Sequence, residues 1–423
     1  MDQCLECHRD QKAKGGYRLD TFEQFLKAGD SDEAPIAPGR PEQSEIFELI
    51  ATHEENDRMP KKADALPEKE TALIRQWITE GAKFDGKDAK DSLASLLPEK
   101  VIQIPEKYPR PIPVTAMTLN GDGKVLVTSG FHELLAWDPE TGKPRARVAG
   151  MPERILGLSF VKGGPWLAVA GGTPGRSGEL WLVNFVKPSE RKRLVQLRDC
   201  TLCAVTTPDG SVLVTGGADN HVRAFALPEG QPLWDLEAHA DWVLALAMSA
   251  DGKHVASASR DRTVKVFDVK TGTVEGTFTE QEVQVLSVAF SLDGTQLITG
   301  GADGEVRRCK LNGEGIKDTT LRPGGRTQVL GLGFLQSETP LAVLGNGLVT
   351  TMDAKSRKGK DQLTRHDDRV NAVLISGKPE QRRIITACHD GQVRVIGVSS
   401  VERDGKPAQV IREVAKFMAS PGW

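Results

Sequence analysis

Val243-Leu244-Ala245-Leu246-Ala247-Met248-Ser249-Ala250-Asp251-Gly252-Lys253-His254-Val255-Ala256-Ser257-Ala258-Ser259-Arg260-Asp261-Arg262-Thr263-Val264-Lys265-Val266-Phe267-Asp268 contains three short strand patterns and two turns. Residues 243–249 alternate in the period-two manner of a strand with opposed faces. Asp251-Gly252 turns the chain, 254–259 alternate again, Asp261-Arg262 turns once more, and 264–269 form a third run. Lys270-Thr271-Gly272 then leads into a fourth run at 274–278, as expected of consecutive hairpins. The same punctuation recurs. Asp209, Asp251 and Asp293 lie 42 residues apart, and so do Asp219, Asp261 and Asp303. Asp122 lies 87 residues before Asp209 and Asp390 lies 87 after Asp303, about two further repeats on each side. Seven units fit between 112 and 416, the weakest at 151–199 and 325–367. One four-stranded unit cannot bury its own faces, so the repeats are expected to stack as an all-β, seven-bladed propeller.

The rest of the chain differs in character. At 423 residues it is too long for one ordinary domain of about 100–200 residues. Residues 1–86 carry 12 Lys and Arg against 19 Asp and Glu, whereas the remaining 337 carry 43 against 39. An acidic head is thus joined to a mildly basic body, a candidate docking face for a basic partner. The overall charge of -3 argues against a dedicated nucleic-acid binder. No run of about 18 apolar residues is present, so no membrane span is expected. Residues 87–111 are polar and then proline-broken, with Pro98, Pro105, Pro109 and Pro111, and read as a linker packed over the following domain. The expected division is 1–86, a linker 87–111, repeats 112–416 and a tail 417–423.

The head opens with Cys4-Leu5-Glu6-Cys7-His8, the C-x-x-C-H pattern of c-type haem attachment. Thiols one helical turn apart can add to the two vinyl groups of one porphyrin, and the adjacent imidazole then lies under the iron. Half a zinc site or a redox dithiol are the alternatives for a bare C-x-x-C. Residues 9–100, however, contain no further Cys and only His53. A sixth ligand is expected to be Met or His. Met59, in Asp57-Arg58-Met59-Pro60, is the one Met of that span, and Pro60 suits an extended loop there. His53 is the rival, read as an exposed residue after a helix over 44–52. Helices are also expected from Thr21, with Phe22, Phe25 and Leu26, and from Pro67, with Leu73, Ile74, Trp77 and Ile78 on one face and Gly81 as the stop. Leu73 and Trp77 are the expected contact face of that last helix.

Five motifs in order carry a specific resemblance: Cys4 to His8, Gly15-Gly16-Tyr17-Arg18-Leu19-Asp20, Pro38-Gly39-Arg40-Pro41-Glu42-Gln43-Ser44, Arg58-Met59-Pro60, and Trp77-Ile78-Thr79-Glu80-Gly81-Ala82. Residues 1–86 resemble the cytochrome c domain widespread in planctomycetes and related bacteria. The resemblance implies a small all-α domain with one covalently attached haem c. It also implies Cys4 and Cys7 as thioether anchors and His8 and Met59 as axial ligands of the iron. The family usually shows Met-Pro-Pro where this chain has Met59-Pro60-Lys61. It also usually carries more residues before the first Cys. Because haem c is attached outside the bacterial cytoplasm, the resemblance implies a periplasmic or exported protein whose signal segment is missing here.

The body resembles WD-repeat proteins: Trp137-Asp138 shows the dipeptide and Phe267-Asp268 a weakened copy. In such blades a loop His, a turn Asp and a strand Ser or Thr share a buried network. Here the candidates are His239, Asp261 and Ser257 or Ser259, and His366, Asp390 and Thr386, all read as structural rather than catalytic. Cys200-Thr201-Leu202-Cys203 lacks a following His and reads as core, with a disulfide or a weak metal site as the alternatives. The expected function is a monohaem c-type cytochrome for one-electron transfer. Its propeller would serve as a scaffold docking a redox partner and other proteins. An oxidoreductase with a second active site on the propeller, and a structural module with a haem staple, are the alternatives.

Overall fold

Strand-forming alternation and glycine turns produce antiparallel sheets along most of the chain. The structure, a computed structural model, describes residues 4, 7–9, 12–54, 56–61, 64–86, 88–90, 93, 104–197, 199–279, 281–311, 320–336, 339–378, 381–403 and 406–422. The chain divides into two compact units, Met1–Val101 and Ile102–Trp423.

The larger unit is a seven-bladed propeller. Its blades span 117–149, 154–197, 201–237, 243–278, 285–310, 329–365 and 370–418, each an antiparallel sheet with strands in sequence order. Six blades have four strands; the fifth shows three among the described residues. In blades 2 to 7 the innermost strand carries a β-bulge near its start, for example between Val243 and Ala245. Such bulges sharpen local twist where strands converge on the axis.

Packing between blades, rather than strand exchange, holds the ring. One buried apolar cluster lies between each pair of neighbours, the smallest with six buried side chains. Burying one Leu, Val or Phe contributes about 1.5–3 kcal/mol, against about 1 kcal/mol net for a ladder hydrogen bond, so these clusters dominate. The ring closes where Ile385, Ala387, Val393 and Val395 of blade 7 meet Leu126, Leu135 and Trp137 of blade 1. The entering segment stitches this joint. Val114 N–H donates to the Cys388 carbonyl (3.3 Å), Asn371 Nδ2 to the Val114 carbonyl (2.9 Å), and Ile112 N–H to Ser420 Oγ (3.0 Å). Just before it, Tyr108 is buried and donates to Glu133 Oε1 (2.5 Å). Arg147 grips the same carboxylate at 2.7 Å and the Pro105 and Glu106 carbonyls at 2.9 Å.

The smaller unit is mainly helical, with α1 (Phe22–Phe25), α2 (Glu45–Ala51) and α3 (Glu68–Thr79) among the described residues. The expected all-α character holds only loosely. Behind Cys7 the chain makes a two-stranded pair, β1 (His8–Arg9) and β2 (Lys12–Ala13). Thr21 Oγ1 caps α1 by accepting from Gln24 N–H (3.2 Å). Ser44 precedes α2 but spends its hydroxyl on the preceding loop, accepting from Ala37 N–H (2.8 Å) and donating to the Arg40 carbonyl (3.1 Å). Gly81 ends α3 at φ +99°, with Gly81 N–H on the Ile78 carbonyl (3.0 Å) and Ala82 N–H on Trp77 (2.9 Å), the paired bonds of a Schellman stop. Ile74, Trp77 and Ile78 face the core, while Leu73 is 57% exposed. The expected contact face is therefore rotated: Ile74 replaces Leu73 beside Trp77.

Candidate functional site

The loop after the C-x-x-C-H run is shaped by two glycines. Gly15 and Gly16 both take φ +66°, and a Cβ on Gly16 would collide with the Asp30 carboxylate. Asp30 N–H donates to the Gly15 carbonyl (2.8 Å). This turn brings Tyr17 back over His8. His8 Nδ1 lies 3.2 Å from the Tyr17 carbonyl, and the two rings meet edge-on with centroids 5.7 Å apart. Leu19 N–H donates to the His8 carbonyl (2.8 Å). An imidazole whose Nδ1–H donates to a backbone carbonyl presents Nε2 as its ligand nitrogen. His8 has this arrangement.

Cys7 N–H donates to the Cys4 carbonyl (3.2 Å), so the two half-buried, free thiols flank one turn just before His8. Met59 is half-buried, and its N–H donates to the Leu49 carbonyl in α2 (2.8 Å). The Met59–Pro60 peptide is cis. His53 lies exposed beyond the end of α2. Thus His8 is anchored on the Tyr17 turn and Met59 on α2, within one unit.

From His8 a wall of half-buried aromatic rings runs outward. Tyr17 contacts Phe25 (6.4 Å between centroids), Phe25 contacts Trp77 (5.9 Å), and Phe22 stacks on Phe84 (4.7 Å). All five rings are half-buried, and the fully buried cluster beneath comprises only Ile36, Ile78 and Ala82. Burial first, and then the charges of Glu45 and Cys4, hold the Tyr17 phenol far above its ordinary range. It therefore stays protonated and donates to the Phe25 carbonyl (2.7 Å). Two thiols, an imidazole with its second nitrogen tied back, a thioether and a half-buried aromatic wall fit a porphyrin bound through its vinyl groups and iron. Sequence reasoning missed Tyr17 as the partner of His8; its signal was the Gly15-Gly16-Tyr17 motif.

The propeller histidines are arranged differently. His239 is buried, with Nδ1 at 2.9 Å from Asp261 Oδ2 and 3.1 Å from Thr263 Oγ1, and Nε2 at 2.6 Å from Ser257 Oγ. Burial lowers its pKa against the opposing pull of Asp261. Burial would raise the Asp261 carboxyl, yet bonds from Thr263, Ala240 N–H and His239 bring it down to about 2. In blade 7, His366 Nε2 meets Thr386 Oγ1 (2.8 Å), but Nδ1 has no hydrogen-bond partner among the described residues. The expected His366–Asp390 bond is therefore not made. Asp390 accepts from Gln392 N–H instead (2.8 Å). Cys200 and Cys203 are free, and burial raises their thiols to about 11 and about 12. Cys203 packs its sulfur against the Gly216 and Val243 carbonyls.

The family model for Planctomycete cytochrome C matches residues 4–63, and that for the WD domain, G-beta repeat, matches 230–268 and 272–307. The chain joins a segment similar to planctomycete cytochrome C to a WD-repeat propeller. The first match implies haem c binding, and the second suggests a protein-interaction scaffold. No curated protein matches the chain. No helix among the described residues is long and apolar enough to cross a membrane.

Proposed function

We propose that the protein is a monohaem c-type cytochrome carrying one electron at a time, with its propeller as the docking scaffold for a redox partner and other proteins. The observation that carries this reading is His8, whose Nδ1 faces the Tyr17 carbonyl beside two free thiols. In this reading Cys4 and Cys7 anchor one haem through thioether bonds, and His8 and Met59 are its axial ligands. Residues 1–86 form the haem domain and 87–111 the linker; the propeller starts near 112 and its last strand runs to Met418 rather than stopping at 416, with the tail after it, and the protein works in the periplasm or outside the cell. Haem c, when bound, supplies the one-electron couple.

The chain's own groups set its conditions. The Tyr17 carbonyl fixes the orientation of the imidazole ring. The Phe22, Phe25, Trp77 and Phe84 rings would offer a bound haem an apolar surface. A thioether opposite the imidazole favours the reduced state relative to a second His. The chain is not expected to carry out substrate chemistry of its own.

The test is reductive titration of the haem-loaded chain beside Met59→Ala. The wild type should show a sulfur-to-iron charge-transfer band and exchange electrons with soluble carriers. Met59→Ala should lose the band and titrate at a lower potential. A band that survives the substitution would assign the sixth ligand elsewhere, and a haem inert to every carrier would remove the electron-transfer role.

A further inference from the structure

We infer that blade 7 carries a zinc site built from His366, Cys388 and Asp390. One ligand atom from each of the three lies within 4.8 Å of the other two. The second observation is His366 itself. The residue is 2% exposed and its Nδ1 has no hydrogen-bond partner among the described residues, although Nε2 is held by Thr386. A buried ring nitrogen left unsatisfied is destabilising, and the matching blade shows that the fold can avoid it.

Blade 4 is that control. There Ser257, Ser259, Asp261 and Thr263 occupy the strand and turn places that Thr386, Cys388, Asp390 and Gln392 hold in blade 7. Ser259 Oγ donates to the Asp241 carbonyl (3.1 Å), as Cys388 Sγ does to that of Asp368 (3.3 Å). Asp261 and Thr263 both face His239 Nδ1 and close the network. In blade 7 a thiol replaces the serine hydroxyl and Gln392 replaces the threonine; His366 Nδ1 is left without a partner among the described residues, and a ring nitrogen of His366 lies within 4.8 Å of the sulfur and of a carboxylate oxygen. Nitrogen, thiolate and carboxylate together are a zinc donor set, too soft for magnesium or calcium. The half-buried Asp390 leaves room for water as a fourth ligand. His366 would bind through Nδ1 while Thr386 steadies Nε2, the usual outer-shell support.

Binding displaces one proton, from Cys388 Sγ to solvent, and breaks the Cys388–Asp368 bond. The resulting thiolate, carboxylate, neutral imidazole and Zn2+ sum to no net charge. Arg394 and Lys416 also face His366 and disfavour added positive charge, whereas Asp367 and Asp390 favour it.

The experiment compares zinc uptake by the full haem-loaded chain with that of Cys388→Ser, which installs the residue blade 4 already uses. Wild type is expected to retain one more zinc than the variant. Zinc X-ray absorption should show a sulfur neighbour at about 2.3 Å, lost in the variant together with more than about 100-fold in affinity. Asp390→Asn, which keeps the turn acceptor for Gln392, should also weaken binding and abolish any rise of the propeller Tm with zinc. Equal zinc uptake by wild type and Cys388→Ser, or zinc X-ray absorption with no sulfur neighbour, would overturn the site. This inference is independent of the haem reading, because Cys4, Cys7 and His8 are the same in both chains.

Discussion

The two units handle the same residue types in opposite ways. In blade 4 of the propeller, His239 is buried with partners on both ring nitrogens. In the small unit, the ring of His8 has one nitrogen at a carbonyl and the residue is half-buried. The apolar groups follow suit. Every blade interface has a cluster of at least six buried apolar side chains, whereas the small unit's cluster has three among the described residues and leaves five aromatic rings half-buried. Blade 4 closes its polar network within the polypeptide, whereas the small unit leaves its imidazole and its aromatic rings only half-covered, and that contrast separates the two histidines better than residue type does.

The largest test of the contrast removes the ligand. In a Cys4→Ser/Cys7→Ser chain that cannot retain haem, amide hydrogen exchange should lose most protection within residues 1–101 while the propeller keeps its own. Equal protection in both units with and without haem would break the contrast. Next comes His239→Leu, which strands Asp261 and Ser257 in the blade. It should lower propeller stability by about 3 kcal/mol in urea unfolding and leave the haem spectrum unchanged.

The smallest effect is on pH dependence. Burial depresses both His239 and His366, the latter to about 4. The unfolded chain therefore binds more protons below about 6.5, and propeller stability should decline as pH falls from there to about 4. His366→Asn should flatten part of that slope. Asp261, held at about 2, stabilises above its unfolded value of about 3.9 and is lost only below that window. A zinc-free propeller whose stability is flat from pH 7 to 4 would contradict the burial of these rings.

Much of this architecture was legible in the sequence because turn chemistry repeats. The Asp-Gly punctuation at 42-residue intervals located the blades, and period-two alternation located their strands. The C-x-x-C-H pentapeptide stands out in the sequence because haem attachment would require that spacing. Features set by tertiary packing were not. A helical apolar stripe places Leu73, Ile74, Trp77 and Ile78 together but does not say which edge faces outward, and Leu73 was the exposed one. The use of the Ser44 hydroxyl in the 37–40 loop was not legible, because it depends on a fold around Pro41. The His366–Asp390 pairing was expected by analogy with His239–Asp261, but Gln392 and Cys388 change what surrounds that ring. Closure of the ring by packing without an exchanged strand, and the Tyr108–Glu133–Arg147 clamp, join residues with no shared periodicity.

The most direct test of the central claim is intact mass analysis of the full chain under denaturing conditions, after expression in a host that attaches haem c outside its cytoplasm. One haem should remain covalently bound, with its peptide mapped to Cys4 and Cys7, and the double serine variant should carry none. A chain that contains no haem, or whose haem dissociates on denaturation although both thiols are present, would contradict the account.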